Sequence, residues 1–135
     1  MITEDYVSFE TAKLLKEKGF DENCAALYDL RTGEISQQGV GYVFNNSQWE
    51  NFITAPTLQL AMKWLRELHN LHCDIGYHFR LGWHIKITSL KETVIDHDIE
   101  MKTYLPYYLP YKSCDYLSYE EACENAIKYC LKELI

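Results

Sequence analysis

The chain has 135 residues, of which 47% are hydrophobic and 14% aromatic, and its formal net charge is −7. This size and composition indicate one folded domain and argue against intrinsic disorder. No apolar run approaches the ~18 residues of a membrane span and no secretion signal opens the chain, so the expected location is the cytoplasm. The negative charge disfavours generic nucleic-acid binding.

The charges are distributed unevenly along the chain. Residues 1–22 contain six acids and three lysines, and residues 115–135 contain five acids and two lysines. Residues 55–91 are the reverse, with five basic residues against two acids and with four of the five histidines. Any anion-binding surface of the protein should therefore lie within residues 55–91.

The first predicted helix runs from Ser8 to Lys18. Ser8 is a favoured N-cap residue, and Gly19 is typical of the position after a helix end. The residues that form its apolar face are Phe9, Ala12 and Leu15. We expect this helix to pack against the rest of the domain through that face.

A first β-hairpin is predicted after this helix. Apolar residues alternate before the turn-forming residues 31–34 and resume at Ile35, which predicts two antiparallel strands. The alternating residues are Ala26, Tyr28 and Leu30 in the first strand, and Val40, Tyr42 and Phe44 in the second. Residues 45–54 are polar and are interpreted as a loop.

A long amphipathic helix is predicted between Thr57 and Asn70. It starts between Thr54 and Thr57, because Pro56 suits a first helical turn, where its missing N–H would have no partner. Its apolar residues cover an arc of roughly 200°, so burial on more than one side is expected. These residues are Leu58, Leu60, Ala61, Met62, Trp64, Leu65, Leu68 and Leu71.

A second β-hairpin follows, because the period of the apolar residues changes from 3.6 to 2 after Asn70. Residues paired across a hairpin share a face, so a single apolar face fixes the register. The predicted pairs are Phe79 with Trp83, Tyr77 with Ile85 and Ile75 with Ile87, and the residues of the first two pairs are expected to be buried. This register leaves residues 80–82 as the loop, with Gly82 in the left-handed conformation.

The polar face of this hairpin is the candidate functional face. In the predicted register His78 and His84 lie opposite each other, with Cβ atoms ~5 Å apart, close enough to share a metal ion. Asp74 lies four residues from His78 along the same strand, which is ~13 Å at ~3.3 Å per residue, so a third ligand is missing. This face is the candidate anion-binding or metal-binding surface, and the alternative is a pair of histidines that faces solvent or is covered by a helix. We expect neither a native metal nor a cofactor. The members of this face are Asp74, His78, Arg80, His84 and Lys86.

Residues 89–117 lack a regular pattern and contain a tandem Tyr-Leu-Pro-Tyr repeat. Proline at every fourth position excludes a helix and favours an extended path. Two interpretations stay open: exposed rings would form a protein-contact surface, and packed rings would make the repeat a strap over a sheet edge. The rings are those of Tyr104, Tyr107, Tyr108 and Tyr111.

The last predicted helix, residues 118–134, begins with a Ser-x-x-Glu capping box at Ser118. Cys123 and Cys130 fall on its apolar stripe, and Cys73 falls on the apolar face of its strand. The five cysteines show no Cys-x-x-Cys spacing. Because burial raises the pKa of a thiol and keeps it protonated, we expect reduced, unreactive cysteines.

The predicted elements follow the order helix, hairpin, helix, hairpin, irregular segment, helix. This order indicates an α+β fold in a single domain, residues 1–135. We expect one antiparallel sheet of two hairpins, packed against about three helices.

Three parts of the chain share a resemblance with known sequences, namely residues 5–10, residues 55–57, 61–67 and 69–70, and residues 119–122 and 126–131. In these parts the chain resembles a family of small proteins encoded by Bacteroidales bacteria and by their phages or prophages. The tip of the second hairpin, the acidic segment after it and the tyrosine repeat lie outside it. The resemblance implies a bacterial cytoplasmic or phage-related setting, and it implies no activity and no catalytic residues.

Two functional hypotheses follow. The sequence has no Gly-rich phosphate loop, metalloprotease motif, nucleophile elbow or calcium loop, which lowers the expectation of an enzyme. The leading hypothesis is a non-enzymatic interaction or accessory module of phage or mobile-element origin, with a protein partner or a second copy of the chain. The alternative is a small enzyme or a metal-binding or anion-binding protein that uses the polar face of the second hairpin.

Overall fold

The computed structural model describes residues 1–37, 43–47, 49–95, 98–107 and 116–135, with residues 91–95 and 98–107 described as backbone. The helices are α1 (Phe9–Glu17), α2 (Leu58–His69) and α3 (Tyr119–Tyr129), and a π-helical turn (Cys130–Leu134) follows α3. The strands are β1 (Ala26–Asp29), β2 (Ile35–Gln37), β3 (Phe52–Thr54), β4 (Leu71–His78), β5 (Gly82–Ile95) and β6 (Asp98–Tyr107).

The first and last helices begin at the predicted caps. The Ser8 Oγ accepts a hydrogen bond from the Thr11 N–H at 3.2 Å, and the Ser118 Oγ accepts one from the Glu121 N–H at 3.0 Å. The Glu121 carboxylate in turn accepts from the Leu117 N–H at 3.0 Å, one residue before the cap. Both helices therefore start where a side-chain oxygen satisfies an otherwise unpaired N–H group.

The central helix begins at the end of the predicted range. Its N-cap is Thr57, whose Oγ1 accepts a hydrogen bond from the Leu60 N–H at 3.1 Å. Pro56 precedes the cap, so its predicted place in the first helical turn is wrong. Its carbonyl instead accepts from the Val7 N–H at 3.0 Å and joins α2 to the start of α1. At the other end Asn70, with φ of +55°, is left-handed and turns the chain directly into β4.

The predicted α+β class is confirmed, and the strands lie in two antiparallel sheets where we expected one. The sheet orders are β2-β1-β3 and β4-β5-β6. The first predicted hairpin is confirmed as β1 and β2, whereas Val40 and Tyr42 lie outside the described residues. The alternation of a hairpin indicates its own pairing and carries no information about which hairpins join laterally.

Two segments interpreted as irregular contain strands. β3 lies within the predicted polar loop 45–54, and three residues are too few to produce a detectable alternation. The predicted irregular segment 89–117 holds the end of β5 and the whole of β6, which pair along their length with a bulge between Thr93 and Val94. Strands held by backbone hydrogen bonds need not show apolar alternation, which explains both omissions.

One hydrophobic core joins the helices to both sheets. Its largest fully buried side chains are those of Leu15, Phe20, Ile53, Leu65, Ile85, Ile87, Ile127 and Leu131. The predicted burial of Leu68 is wrong, because 61% of its surface is exposed on the outer side of α2. Among the described residues, no helix is long and apolar enough to cross a membrane.

Candidate functional site

The second hairpin has a register that differs by two residues from the predicted one. Tyr77 pairs with Trp83, and Ile75 pairs with Ile85. The apolar residues keep their common face, because a shift of two preserves the alternation. Gly82 has the predicted positive φ, +79°, but it belongs to β5.

The predicted pairing of His78 with His84 is therefore wrong. His84 lies opposite Gly76, and His78 lies opposite Gly82. Among the described residues, no group of three or more histidine, cysteine, aspartate or glutamate side chains is arranged to hold a metal ion. The two imidazoles have separate surroundings and separate roles.

The His84 ring covers Gly76 on the polar face. A Cβ added to Gly76 would lie 3.4 Å from the His84 Cδ2 and would overlap the Cε1 and Nε2 atoms. Glycine at this position thus makes room for the imidazole, which is half-buried. The role visible in the structure is packing across the strand pair.

The His78 side chain closes the hairpin turn. Its Nδ1 accepts hydrogen bonds from the Arg80 N–H at 3.2 Å and from the Leu81 N–H at 3.3 Å. An Nδ1 that accepts leaves the proton of the neutral ring on Nε2, which makes Nε2 a donor on the outer side. The ring also stacks on Phe79, with centroids 5.1 Å apart and planes inclined by 20°.

The remaining members of the polar face are exposed. Asp74 and Lys86 are cross-strand partners, and they lie two residues along the strands from the pair formed by Gly76 and His84. Arg80 lies at the turn, with its Cζ 5.2 Å from the centre of the Phe79 ring. The structure therefore places Asp74, Lys86 and His84 side by side and places Arg80 and His78 at the end of the hairpin.

The hairpin tip, defined here as residues 79–81, presents large apolar groups to solvent. Phe79 is 75% exposed and Leu81 is 49% exposed; Tyr77, the last apolar residue of β4, is 61% exposed. The predicted burial of Phe79 and Tyr77 is wrong, since alternation identifies a face without showing how far the helices cover it. The Trp83 ring lies 5.1 Å from Tyr77 and 5.5 Å from Tyr119 of α3, so the covered part of this face ends at Trp83.

The first half of the tyrosine repeat lies in β6. The Tyr104 backbone is paired with Leu90, and the Tyr107 backbone is paired with Ile87. Tyr108 and Tyr111 lie outside the described residues. The extended path predicted from the prolines is confirmed up to Tyr107. Pro106 lies in β6, which is an edge strand among the strands that the structure describes, and its missing N–H is tolerated there.

The described cysteines are free thiols. The Sγ atoms of Cys73 and Cys130 lie 3.8 Å apart and share a hydrogen bond, which together with burial raises the pKa of Cys130. Burial raises the pKa of Cys24 and of Cys123 to about 11. The thiols of Cys24, Cys123 and Cys130 therefore stay protonated near neutral pH. Cys114 lies outside the described residues.

A hydrogen-bonded cluster of Ser8, Thr11 and the Glu124 carboxylate, between α1 and α3, was missed by the sequence reasoning. The Glu124 Oε1 accepts hydrogen bonds from the Thr11 hydroxyl at 2.6 Å and from the Ser8 N–H at 3.2 Å. Glu124 also borders a cavity of about 390 Å³ beside Tyr28, whose pKa is raised by burial. No sequence signal indicates this cluster, because 113 positions separate Glu124 from Thr11.

Comparison of the chain with protein-family models, with curated proteins and with solved structures found no match. Function must therefore be inferred from the surfaces described above.

Proposed function

We propose that the chain is a non-enzymatic protein-interaction module whose contact surface is the hairpin tip. The observation that carries this proposal is the exposure of Phe79 and Leu81 together at the end of a hairpin. Aromatic residues and arginine are enriched in the centres of protein interfaces, and exposed apolar groups that adjoin one another mark such surfaces. The tip supplies an aromatic ring, an aliphatic group and a guanidinium within three residues.

The local structure of the tip favours binding because it is already ordered. His78 holds the turn through two backbone hydrogen bonds and stacks on Phe79, while the Arg80 guanidinium lies 5.2 Å from the centre of the same phenyl ring. A contact group that is held in place before binding loses less conformational entropy when a partner arrives. This arrangement supports a preformed contact surface.

The charge of the tip indicates the chemistry of its partner. Arg80 is basic and exposed within a chain of net charge −7. A partner surface with an apolar pocket rimmed by carboxylates would match the apolar groups and the guanidinium together. We propose such a protein surface as the binding partner.

The biological setting is part of the same proposal. The resemblance to Bacteroidales and phage proteins supports an accessory protein of phage or mobile-element origin that acts in the cytoplasm. The enzyme alternative has less support, because His84 packs over Gly76 and the His78 Nδ1 is engaged in the turn. The cavity beside Glu124 lies near α1 and α3 and is not lined by either histidine.

The test compares the proteins captured by tagged wild type with those captured by a tip variant, Phe79→Ser/Arg80→Glu, from cells of the native host. Leu68→Ser is the matched control, since Leu68 is a similarly exposed apolar residue on α2. We expect a partner, identified by mass spectrometry, that the wild type and the control retain and the tip variant loses. Equal recovery of every captured protein by the tip variant would contradict the proposal.

A further inference from the structure

The second sheet has an edge at β4. β5 has neighbours on both sides, since β4 lies on one side and β6 lies on the other, where Tyr116 also bridges to Trp83. Within the described ranges, β5 is the strand that pairs with β4, and the outer edge of β4 carries no strand. With respect to the described part of the chain, its outward backbone groups are thus available for pairing.

β4 lacks the features that usually protect an edge strand. Natural edges are kept from pairing by lysines, prolines, bulges or short length. β4 has eight residues in regular register with β5, contains no proline or lysine, and has Asp74 as its one acidic residue. Its second half is open to solvent at Tyr77 and His78.

We propose that β4 pairs antiparallel with β4 of a second copy, about a twofold axis at Gly76, to form a continuous six-stranded sheet. An axis between two residues would oppose the polar face of one copy to the apolar face of the other, so the axis must pass through a residue. An axis at Ile75 places Gly76 opposite Asp74, which leaves the carboxylate without a hydrogen-bond donor, and an axis at Tyr77 requires turn residues to pair. An axis at Gly76 uses residues 74–78, all within β4.

In this register Asp74 of each copy faces His78 of the other. Opposed residues of an antiparallel pair have Cβ atoms ~5 Å apart, within reach of a carboxylate and an imidazole. The His78 Nδ1 already accepts two backbone N–H bonds, so the neutral ring presents its Nε2–H to the carboxylate of the second copy. The twofold symmetry repeats this contact, and the surface is complementary to itself.

The same register covers the Tyr77 ring, which is exposed to solvent in the single chain. Tyr77 of each copy faces Ile75 of the other, so a ring that is 61% exposed gains an aliphatic neighbour. Gly76 meets its own copy at the axis and adds no side chain there. An axis at Cys73 would also face Asp74 with a histidine, His72, but it would leave the exposed Tyr77 without a partner in β4. The axis at Gly76 is therefore the one that both pairs Asp74 with a histidine and covers Tyr77.

The proposed dimer is independent of the partner protein proposed above. Residues 79–81 of the two copies lie at opposite ends of the paired strands and remain open, so the dimer would present two tips and could bind a multivalent partner by avidity. Self-association is measured on the purified chain alone. Its failure would leave the proposed interaction function untouched, and the reverse also holds.

The test is sedimentation velocity of the full chain over about 1 to 500 μM, with two charge variants. Asp74→Lys places a cation opposite His78, and His78→Asp places two carboxylates opposite each other. Aspartate at position 78 can still accept the backbone bonds of the turn, so the fold is retained. We expect the wild type to dimerise and each variant alone to associate about tenfold or more weakly.

Mixing the two variants is the decisive step. In a mixed pair the substituted lysine of one chain faces the substituted aspartate of the other, and the native Asp74 faces the native His78. We therefore expect the mixture to form a heterodimer, and we expect the variant that combines both changes to dimerise again. Glu67→Lys, a charge reversal on the exposed side of α2, is the control and should dimerise as the wild type does.

Three results would overturn the proposal. The first is a wild type that stays monomeric across the concentration range. The second is a wild-type dimer that both single variants form equally well, which would place the interface elsewhere. The third is a pair of folded, monomeric variants, checked by circular dichroism, that fail to associate when mixed.

Discussion

At the scale of single residues, His78 and His84 show how neighbouring side chains of one type take different structural roles. His78 accepts two backbone hydrogen bonds through Nδ1, and His84 lies over the glycine opposite it. A tetrahedral zinc site requires several ligand atoms at ~2 Å from the ion, and these two rings are engaged separately. Their proximity in sequence therefore does not amount to a metal site.

Zinc is expected to leave the melting temperature of the protein unchanged. A ligand that binds the folded state raises this temperature, so a functional zinc site would stabilise the wild type but not His78→Gln/His84→Gln. Thermal unfolding with and without zinc, at matched pH and with a chelator control, measures the effect. A rise in the wild type that the double variant lacks would contradict the expectation and favour the enzyme or metal-binding alternative.

Thr11→Val should destabilise the fold by about 1–3 kcal/mol, the range for losing a buried hydrogen bond to a charged group. The Thr11 hydroxyl is fully buried and donates to the Glu124 carboxylate at 2.6 Å, and valine keeps the shape while removing the donor. Urea unfolding gives the difference in free energy. Thr3→Val, at an exposed position, is the control; equal stability of both variants would show that the bond contributes nothing.

At the scale of elements, α2 provides a direct comparison between a buried and an exposed leucine on one helix. Leu65→Ala should cost about 2–5 kcal/mol, because Leu65 is fully buried in the core. Leu68→Ala, at a position that is 61% exposed, should change stability by less than about 0.5 kcal/mol. Chemical denaturation of both variants measures the difference in unfolding free energy. A decrease of less than about 1 kcal/mol for Leu65→Ala would contradict the placement of α2 in the core.

At the scale of the whole molecule, Glu10 connects the first helix to the end of the chain. Its carboxylate pairs with Lys128 at 3.0 Å and with Lys132 at 3.1 Å. The hydrogen bond from Lys128, and then that from Lys132, lowers the pKa of Glu10 below its ordinary 4.5. Because the folded state has the lower pKa, the contribution is complete above pH 4.5 and is lost as the pH falls through the folded-state value.

Glu10→Gln should therefore lower stability slightly at neutral pH and should match the wild type in acid. The effect is small because the carboxylate is exposed and screened by solvent. Denaturant unfolding from neutral to acidic pH measures the difference, with Glu17→Gln on the exposed side of the same helix as the control. A difference between Glu10→Gln and wild type that stays constant across this range would exclude ionisation of Glu10 as its source.

The features that the sequence by itself determined are local. The caps at Ser8 and Ser118, the left-handed Gly82 and the apolar faces of the helices and hairpins depend on φ, on side-chain oxygens and on periodicity within a few residues. The tertiary structure alone decided the register of β4 with β5, the lateral joining of strands into two sheets, and the contact of Glu124 with Thr11. It also decided that Leu65 is buried while Phe79 is exposed, because burial depends on packing partners that lie far away in the chain. Amphipathic periodicity identifies an apolar face but does not show which element covers it.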